Sequence, residues 1–585
     1  MQDLTACIAL NIRIVNKLIK RRLPLTTNHL SDHPLLNRIY QSRGITSPQE
    51  LELSLQRLHS PMLLANIEKA VELLQTILEK QGKIVVVGDF DADGATSTAL
   101  AILALRQFGF KYVDYLIPDR FSQGYGLSPS VAEIVIAKGA DLVLTVDNGI
   151  SSFEGITLLK SHHIQVLVTD HHLPGDELPN ADAMVNPNLS DCEFPSKSLA
   201  GVGVIFYVMM ALRAGLRNAG YFKEKEPNIA ELLDLVALGT VADVVPLDHN
   251  NRILVNQGLN RIRAGYCRVG IQALVEISKR ELSTLQASDL GFAIAPRLNA
   301  AGRLDNMALG VELLICDDLN RARQIALELD SLNQTRKEFE QEMKTEALAI
   351  CAKLPKLAQQ DQAHGIVLYQ SDWHQGVIGI LASRIKDQFH RPVIAFAQES
   401  DESEYLKGSA RSISGLHMRD LLERIDSQHP DLIVKFGGHA MAAGLTLHKS
   451  NLSHFQKAFD ETVENLVEPE QLQGVIYTDG ELVANELNLS TAELLKQAGP
   501  WGQHFAEPTF EGDFRILQQK LLAGKHLKMM VETEQGMLLD AIWFNVDLRN
   551  YPDFSIKVAR LVYKLDINEF RGNRNIQLLV EHLYV

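Results

Sequence analysis

The chain has 585 residues, of which 46% are hydrophobic and 22% are charged, and its formal net charge is −15. This composition excludes a disordered tail, a fibrous repeat and a small disulfide-stapled fold. At roughly 150 residues per domain, the length predicts three or four domains, each with its own core. The negative charge argues against a protein that coats nucleic acid non-specifically, but it leaves room for one basic groove.

The cysteines and the apolar segments bear on the compartment. The five cysteines are scattered and contain no C-x-x-C pair, so neither a disulfide framework nor a zinc ribbon is predicted. They fit a reducing cytoplasm. No apolar run reaches the roughly 18 residues of a membrane helix, and the apolar stretch near the N-terminus lacks a basic leader. We therefore expect a soluble, cytoplasmic protein without a membrane partner.

The first half of the chain has the pattern of an α/β domain. Residues 1–50 are predicted to form a helical segment. In residues 51–316, short β-branched runs such as KIVVVGD, DLVLTVD and IQVLVTD alternate with helical patterns, which is typical of a parallel sheet covered on both faces. Residues 317–355 keep a charged, 3.6-residue period over about nine turns, so we expect one long helix that joins two bodies.

The second half is predicted to contain two smaller units. Apolar strands and glycine-rich turns return in residues 356–466, which indicates a second, smaller α/β domain. Residues 467–585 are mostly strand-like, and the segments EQG and RGNRN have the composition of hairpin turns. A small closed β-barrel is the expected fold of this last unit.

Acidic residues follow several strands of the first domain. These residues are Asp89, Asp91 and Asp93 in VVVGDFDADG, Asp147 in LVLTVDNG, and Asp170, His171 and His172 in VLVTDHH. Ligands of open α/β sheets bind beyond the carboxyl ends of the strands, so we expect these side chains to converge. Unpaired carboxylates in one crevice repel one another unless a cation lies between them. Oxygen and imidazole ligands without a thiolate indicate Mn²⁺ or Mg²⁺ rather than structural zinc.

Each of these residues also has a simpler interpretation. The D-x-D-x-D spacing would point Asp89, Asp91 and Asp93 the same way if the chain left the strand in extended form, but any one of them could merely cap a helix. Asp170 could equally cap a strand end or orient a neighbouring histidine. Asp243, in GTVADVVPL, would by itself be a solvated turn residue. The metal site rests on the whole set.

Candidate phosphate contacts lie in the second α/β domain. The segment Gly437-Gly438-His439 could present backbone N–H groups to a phosphate, although a plain turn is the simpler interpretation. Ser409 and Arg411, in KGSARS, could share one face of a strand. Arginine is suited to bidentate phosphate contacts.

The last domain combines aromatic and basic residues. Trp543, Phe544 and Phe570 lie near the cations Lys525, Lys528, Arg571 and Arg574. Aromatic faces beside cations are typical of a platform for single strands of any sequence. Aromatic residues of a small barrel are, however, more often core than contact, and only the cations of the RGNR segment are expected to be exposed in either case.

The ordered motifs GDFDADG, DNG, DHH and GTVAD-x-x-PL resemble those of the DHH phosphoesterase superfamily, and within it the bacterial single-strand DNA exonucleases. The segments PDRFSQGYGL, PRLNAAGR, WHQGVIGILASR and FGGHAMAAG are similar to further motifs of those exonucleases. The resemblance covers nearly the whole chain and departs at GPWGQHFAEPTF, where a more glycine-rich form is expected. It implies a DHH catalytic domain at 51–316, a DHH-associated substrate-binding domain at 356–466 and an OB-like nucleic-acid-binding domain at 467–585.

The resemblance also implies a site with two Mn²⁺ or Mg²⁺ ions. The implied ligands are Asp89, Asp91, Asp93, Asp147, His171 and Asp243. Asp147 would bridge the ions, Asp89 could instead act from outside the coordination sphere, and His172 would contact the scissile phosphate. Two cations can activate one water and stabilise both the attacking and the leaving oxygens of an in-line displacement. The implied reaction is phosphodiester hydrolysis.

Substrate contacts follow from the same resemblance. Arg120, Ser409 and Arg411 would bind a terminal 5′-phosphate, and Arg297 and Arg303 would contact the DNA backbone. The implied activity is 5′-to-3′ hydrolysis of single-stranded DNA to 5′-mononucleotides in DNA repair and recombination. The implied protein is a monomer, with a single-strand binding protein and a helicase as candidate partners.

Two alternatives stay open at this point. One is an enzyme of the same superfamily with a small substrate, such as an oligoribonuclease, a cyclic-dinucleotide phosphodiesterase or a pyrophosphatase. The C-terminal β region argues against it, because a small substrate needs only two domains. The other is an inactive scaffold that holds single strands, which the intact acidic positions disfavour.

Overall fold

A computed structural model describes residues 17–353, 363–400, 402–546, 551–570 and 572–585. The described part of the N-terminal segment contains a strand, β1 (Leu18–Arg21), as well as the helix α1 (Pro34–Ser42). Strand β1 pairs in parallel with residues 475–478, which precede the C-terminal barrel. The segment predicted to be helical therefore contains a strand beside its helix, because the backbone of β1 finds its hydrogen-bond partners more than 450 residues away in the chain.

The first domain is built on a five-stranded parallel sheet in the order β3-β2-β4-β5-β6. Its strands are β2 (Ile84–Val87), β3 (Val113–Leu116), β4 (Leu142–Val146), β5 (Gln165–Thr169) and β6 (Ala183–Val185). Helix α2 (Ile67–Lys80) precedes the sheet, and the helices between its strands are α3 (Ala92–Gln107), α4 (Pro129–Ala137) and α5 (Phe153–Ser161). Every residue of β2 and β4 is buried, as expected for a parallel sheet covered on both faces. The chain order reverses between β2 and β4, which makes a binding crevice at their carboxyl ends.

A helical layer completes the first domain. Its helices are α6 (Gly201–Asn218), α7 (Leu233–Ala242), α8 (His249–Arg263), α9 (Val269–Ile277), α10 (Ala287–Asp289), α11 (Ala295–Leu304) and α12 (Ala308–Ile315). Between α10 and α11 the backbone makes one π-helical turn, Leu290–Ile294. Helix α3 packs against both α6 and α7, so the helix that follows β2 is central to this layer.

Helix α13 (Leu319–Lys353) connects the two α/β domains. Its 35 residues span about 50 Å at 1.5 Å per residue. Near its N-terminus it contributes Ala322, Ile325 and Leu329 to the core of the first domain. Near its C-terminus it contributes Met343, Ala347 and Cys351 to a core of the second domain. One continuous helix thus belongs to both bodies.

The second domain has a mixed sheet in the order β10-β11-β9-β8-β7. Its elements are β7 (Ile366–Tyr369), α14 (Ile378–Phe389), β8 (Val393–Gln398), β9 (Tyr405–Arg411), α15 (Met418–Gln428), β10 (Lys435–Gly438), β11 (Ala442–His448) and α16 (Leu452–Leu466). Strands β7 and β8 are parallel and the other neighbours are antiparallel. The predicted smaller α/β domain is confirmed.

The C-terminal unit is a closed five-stranded barrel, as predicted. After β12 (Val475–Thr478) and α17 (Leu489–Gln497), the barrel strands are β13 (Phe510–Leu522), β14 (His526–Glu532), β15 (Leu538–Trp543), β16 (Val558–Phe570) and β17 (Asn573–Tyr584). The barrel unit packs on the first domain, where the Arg252 guanidinium lies 4.3 Å from the centre of the Phe505 ring. Among the described residues, no helix is long and apolar enough to cross a bilayer, and the four described cysteines are unpaired.

Candidate active site

The chain leaves strand β2 through Asp89 and then enters helix α3. Asp91 is the N-cap residue of that helix, and its carboxylate accepts a hydrogen bond from the Gly94 backbone N–H at 3.0 Å. The helix begins at Ala92. Asp93 consequently lies in the first helical turn, so the extended-chain argument is wrong for this residue.

Asp93 is held by the start of a second helix. Its two carboxylate oxygens accept hydrogen bonds from the backbone N–H groups of Gly201, at 2.6 Å, and Val202, at 2.9 Å. These groups begin helix α6, whose dipole favours a negative charge at this end. Burial and the neighbouring Asp91 carboxylate nevertheless raise the pKa of Asp93 to about 7. The carboxylate is positioned firmly but carries its charge at an energetic cost.

Asp147 lies directly after strand β4. Its backbone has a φ of 62°, which is uncommon for a residue other than glycine. The carboxylate is buried, and burial and the nearby charge of Asp93 raise its pKa well above the usual value. The next residue, Asn148, donates hydrogen bonds to the carbonyl groups of Val87 and Val146. Asn148 therefore ties together the ends of the two strands that carry the acidic groups.

The DHH segment is organised by its aspartate. One oxygen of Asp170 accepts hydrogen bonds from the backbone N–H groups of His171 and His172 and lies 2.7 Å from Nδ1 of His172. Its other oxygen accepts the Ile150 backbone N–H at 2.9 Å. Burial raises the pKa of Asp170, but the hydrogen bond and positive charge of His172 outweigh it and keep this pKa below the usual value. Asp170 thus fixes the loop and the His172 ring, which agrees with the interpretation that it orients a neighbouring histidine.

His171 points into the acidic cluster. Its Nε2 atom lies 3.1 Å from Oδ1 of Asp147 and 3.6 Å from Oδ2 of Asp243. Asp243 follows the last residue of α7. Burial and the charge of His172 lower the pKa of His171 to about 4. A neutral imidazole with a free ring nitrogen is a good metal ligand.

The predicted ligands converge at the carboxyl ends of β2, β4 and β5. Three sets of ligand atoms each lie within 4.8 Å of one another, namely those of Asp147, His171 and His172, those of Asp93, His171 and Asp243, and those of Asp89, Asp91 and Asp147. Burial raises the pKa values of Asp89 and Asp243 well above the usual range, and so do the nearby carboxylates of Asp91 and Asp93. A cation would reverse these shifts.

Unpartnered atoms mark where a cation fits. Within the described part of the chain, Oδ1 of Asp89, Oδ1 of Asp147 and Nε2 of His171 are buried and have no hydrogen-bond partner. The Asp147 and His171 atoms are close, but they are not in hydrogen-bonding geometry. Buried polar atoms are normally paired, so such a group in one crevice needs an explanation. Carboxylate and imidazole donors fit Mn²⁺ or Mg²⁺.

Arginines from both α/β domains lie beside this cluster. The Arg120 guanidinium lies 4.2 Å from the centre of the Phe90 ring, and Arg303 donates a hydrogen bond to the Gly376 carbonyl of the second domain at 3.3 Å. Arg411, in strand β9, donates to the Ser409 hydroxyl at 3.0 Å. Burial and the charge of Arg120 lower the pKa of Arg303 to about 10, and Arg411 adds to the effect. Three half-buried cations near one another form a strong site for an anion.

The Gly437-Gly438-His439 segment reaches the same cleft. Gly437 and Gly438 belong to strand β10, and the His439 backbone N–H donates to the Ala442 carbonyl at 2.8 Å. Since that N–H is used within the hairpin, the predicted backbone nest is not formed by His439. Burial lowers the pKa of the His439 ring, and the charge of His172 lowers it further. The second domain therefore presents an imidazole to the metal-ligand cluster.

Comparisons with known proteins agree along the whole chain. Family models match at residues 83–240 (DHH family, N-terminal domain), 362–465 (DHHA1 domain) and 478–582 (RecJ OB domain). The single-stranded-DNA-specific exonuclease RecJ of Haemophilus influenzae is 61% identical over 573 residues, which are 97% of this chain and 99% of that protein. The chain belongs to the RecJ family.

Crystal structures of RecJ from Thermus thermophilus have the same fold. The complex with Mn²⁺ matches with a TM-score of 0.79 at 27% identity, over 97% of this chain and 80% of that one. The complex with Mg²⁺ matches with a TM-score of 0.72 at 26% identity, over 97% of this chain and 79% of that one. These matches confirm the resemblance to DHH phosphoesterases and the predicted fold.

Several residues predicted to contact DNA have protein partners in this RecJ chain. Arg297 lies 2.8 Å from Asp330 of helix α13, so its guanidinium braces the connecting helix. In the barrel, Lys528 lies 3.2 Å from Asp540, and Arg574 pairs with two glutamates. Lys525 is exposed, and Arg571 lies outside the described residues. Contacts of these cations with DNA stay predictions.

The aromatic residues of the barrel divide between core and surface. Trp543 is half-buried, and its ring lies 4.9 Å from that of Tyr551, whereas Phe544 is exposed beside His526. Trp543 therefore follows the core interpretation more closely, and Phe544 remains available to a ligand. The Phe570 side chain lies outside the described part of the chain.

Sequence reasoning missed residues that support the site. The Tyr125 hydroxyl lies 3.3 Å from Nδ1 of His172 and from the Asp147 carbonyl oxygen. Asn186 and Asn188 donate to the carbonyl groups of His172 and His171, at 2.9 and 2.6 Å. Tyr125 is part of the quoted PDRFSQGYGL motif, but the two asparagines follow a strand without any local signal.

Proposed function

We propose that this chain hydrolyses single-stranded DNA from its 5′ end and releases 5′-mononucleotides during DNA repair and recombination. The observation that carries the proposal is that Arg120, Arg303 and Arg411 lie close together beside the metal ligands. A cluster of metal ligands alone would suit any phosphoesterase of this superfamily. Half-buried arginines beside it suit a substrate with a second phosphate, such as the 5′ end of a DNA strand.

Two Mn²⁺ or Mg²⁺ ions are the cofactor that these residues would hold. Asp89, Asp91 and Asp147 would hold one ion, whereas Asp93, His171 and Asp243 would hold the other. Asp147 lies close to His171 as well as to the first group, which supports a bridging role. When bound, the ions would lower the pKa of a water and stabilise charge on the attacking and leaving oxygens.

His172 is positioned to bind the phosphate that is hydrolysed. Asp170 holds its ring through Nδ1 at 2.7 Å, so a proton on that nitrogen leaves Nε2 directed to the cleft. The hydrogen bond and charge of Asp170 also raise the pKa of His172 above its usual value, despite the lowering effect of burial. A histidine with this support can donate a hydrogen bond to a phosphate oxygen.

The arginine group is proposed to set where the strand is cut. Arg120, Arg303 and Arg411, with the Ser409 hydroxyl, would bind the terminal 5′-phosphate. The ligand cluster would bind the next phosphate of the strand. Since both phosphates are fixed at once, a single nucleotide lies between them and leaves as the product.

The test compares two labels and two strand ends. Purified protein with Mn²⁺ or Mg²⁺ is incubated with oligonucleotides labelled at the 5′ or the 3′ end, and with strands that carry either a 5′-phosphate or a 5′-hydroxyl. We expect early release of 5′-labelled mononucleotide, none from Asp147→Ala, and a preference for 5′-phosphate. In Arg411→Ala the preference should fall about 10-fold or more, whereas Arg424→Ala, on the surface of helix α15, should keep it.

Other results would reject the proposal. Release of mononucleotide from the 3′ end first would reverse the polarity. Cleavage of dinucleotides or pyrophosphate without any digestion of long DNA would favour the small-substrate alternative. Binding of single strands without cleavage would favour the scaffold.

We further propose that the enzyme acts as a cytoplasmic monomer. One chain supplies both the metal ligands and the arginines, so the cleft needs no second copy. The unpaired cysteines of the described residues fit a reducing compartment. Light scattering on the purified protein tests the monomer. Contacts with a single-strand binding protein and a helicase stay predictions.

A further inference from the structure

Exposed apolar residues follow the polar residues of the active site. Leu173 comes directly after His172, and Val244 directly after Asp243, and both side chains are exposed. Exposed single apolar residues are common, but these two adjoin the same metal-ligand cluster. Two exposed apolar residues of the first domain therefore each lie one position along the chain from a residue of the metal-ligand cluster.

Val244 has a strained backbone at the end of helix α7. Its φ is 62° and its side chain is 62% exposed. A left-handed conformation is a true outlier for a β-branched residue. Since the side chain contributes little to the core, packing does not explain why a valine occupies this position, and strain of this kind concentrates at ligand sites.

Phe292 is presented next to the same helix end by the π-helical turn Leu290–Ile294. Its side chain is 87% exposed, whereas Leu290 and Ile294 in the same turn are buried. A Cβ added at Gly291 would lie 3.3 Å from Cγ1 of Val241, so the turn packs closely on the last part of α7. Single π turns often occur at functional sites.

We propose that Val244 and Phe292 form an apolar platform on which an unstacked base of single-stranded DNA packs beside the hydrolysed phosphate. This inference rests on the proposed function. Val244 directly follows Asp243 of the metal-ligand cluster, and the turn that carries Phe292 packs on Val241 of the same helix end. A strand that places its phosphate at the cluster would therefore place a base near this helix end. Packing of bases on apolar and aromatic side chains does not depend on sequence. The bases of a duplex are stacked inside it and cannot make this contact, so the platform would select single strands.

The test uses strands with and without bases. The substrates are a 5′-phosphorylated oligonucleotide and the same oligonucleotide with abasic residues next to the 5′-terminal nucleotide. Hydrolysis is measured as kcat/KM with Mn²⁺, and equilibrium binding is measured separately with a chelator present. Phe292→Ala should lower kcat/KM and affinity for the normal strand by about 5-fold or more, and should change those for the abasic strand much less. Phe292→Trp should restore both.

Two further variants separate binding from folding. Val244→Gly removes the strained side chain, so its melting temperature should rise or stay the same while its affinity for the normal strand falls. Tyr266→Ala is the matched control, because Tyr266 is 70% exposed and lies near Arg268, whose backbone N–H bonds Asp234 at the opposite end of α7. It should behave as the unmodified protein.

The outcomes distinguish the platform from the proposed function. The platform is refuted if Phe292→Ala binds and cleaves the normal strand as the unmodified protein does. It is also refuted if the substitution lowers affinity and kcat/KM equally for the normal and the abasic strand. If the unmodified protein binds strands with the expected base dependence but never cleaves them, the proposed function fails and the platform stands. If abasic residues do not weaken binding by the unmodified protein, no base packs there.

Discussion

Replacing Asp147 by asparagine should stabilise the metal-free protein while abolishing its activity. Asp147 is buried, and its Oδ1 atom has no hydrogen-bond partner among the described residues. Burial and then the neighbouring carboxylates raise its pKa. Asparagine has nearly the same shape and tolerates the positive φ of this position. The substitution therefore removes a repelled charge and leaves the backbone unchanged.

The size of the effect follows from the separation of the carboxylates. Ligand oxygens of Asp89, Asp91 and Asp147 lie within 4.8 Å of one another. Two unit charges at that separation repel by about 3.5 kcal/mol at an effective dielectric constant of about 20. Protonation of the cluster relieves part of this repulsion, so we expect a gain of about 2–3 kcal/mol at about pH 8. For a domain of this size, that gain raises the melting temperature by about 5–10 °C.

The assay is thermal unfolding with a chelator and then with Mn²⁺, together with nuclease activity. Asp170→Asn is the matched control, because this buried aspartate accepts hydrogen bonds from His172 and from three backbone N–H groups. It should lose about 1–3 kcal/mol, since an amide nitrogen would face a donor. The two variants thus have opposite predicted signs. Two results would contradict this prediction. One is a melting temperature of Asp147→Asn in chelator that is no higher than that of the unmodified protein. The other is an equal rise in melting temperature on addition of Mn²⁺ for Asp147→Asn and the unmodified protein.

Three other predictions concern pH, a close contact and a buried ion pair. The fold raises the pKa of Asp93 to about 7, so the metal-free protein should lose stability as the pH rises from about 4 to about 7. Addition of Mn²⁺ should restore that stability. Urea unfolding measured across this pH range would show no loss if the pKa of Asp93 were not raised. Gly302→Ala should abolish most activity, since its Cβ would lie 1.7 Å from the Phe90 carbonyl oxygen between Asp89 and Asp91; unchanged kcat would contradict the contact. Asp479→Ala should reduce the free energy of unfolding by about 3–5 kcal/mol in urea titrations, because Arg43, buried and 2.6 Å away, would lose its partner; a loss below about 1 kcal/mol would place that charge in water.

The location of the active site could be predicted because it depends on where strands end. Asp89, Asp147 and His171 all follow short, buried, β-branched runs, and parallel strands bring their carboxyl ends to one edge of a sheet. That inference needs neither the spatial neighbours of these residues nor the exact register of the strands. The same holds for the long helix, since 35 residues of one period admit few other structures.

Details that depend on distant partners could not be predicted. Asp93 is in a helix because Asp91 caps it, and its oxygens are bound by N–H groups more than 100 residues away. Strand β1 forms only because residues 475–478 offer it an edge. Arg297 looks like any exposed arginine of a DNA-binding motif until Asp330 of the connecting helix is seen beside it. In each case the local sequence indicates the kind of residue but does not identify the distant residue that it contacts.

The junction between the two α/β domains determines more than their separation. A Cβ on Gly376 would lie 2.2 Å from the Arg303 carbonyl oxygen, and the Arg303 guanidinium bonds the Gly376 carbonyl in return. On the connecting helix, Glu340 pairs with Arg336 and with Arg384 of helix α14. These contacts fix Arg411, which comes from the second domain, relative to Arg120, Arg303 and the metal ligands, which come from the first. If the arginines hold one phosphate and the metal ligands the next, the number of nucleotides released per cut is a property of this junction, and neither domain could set it alone.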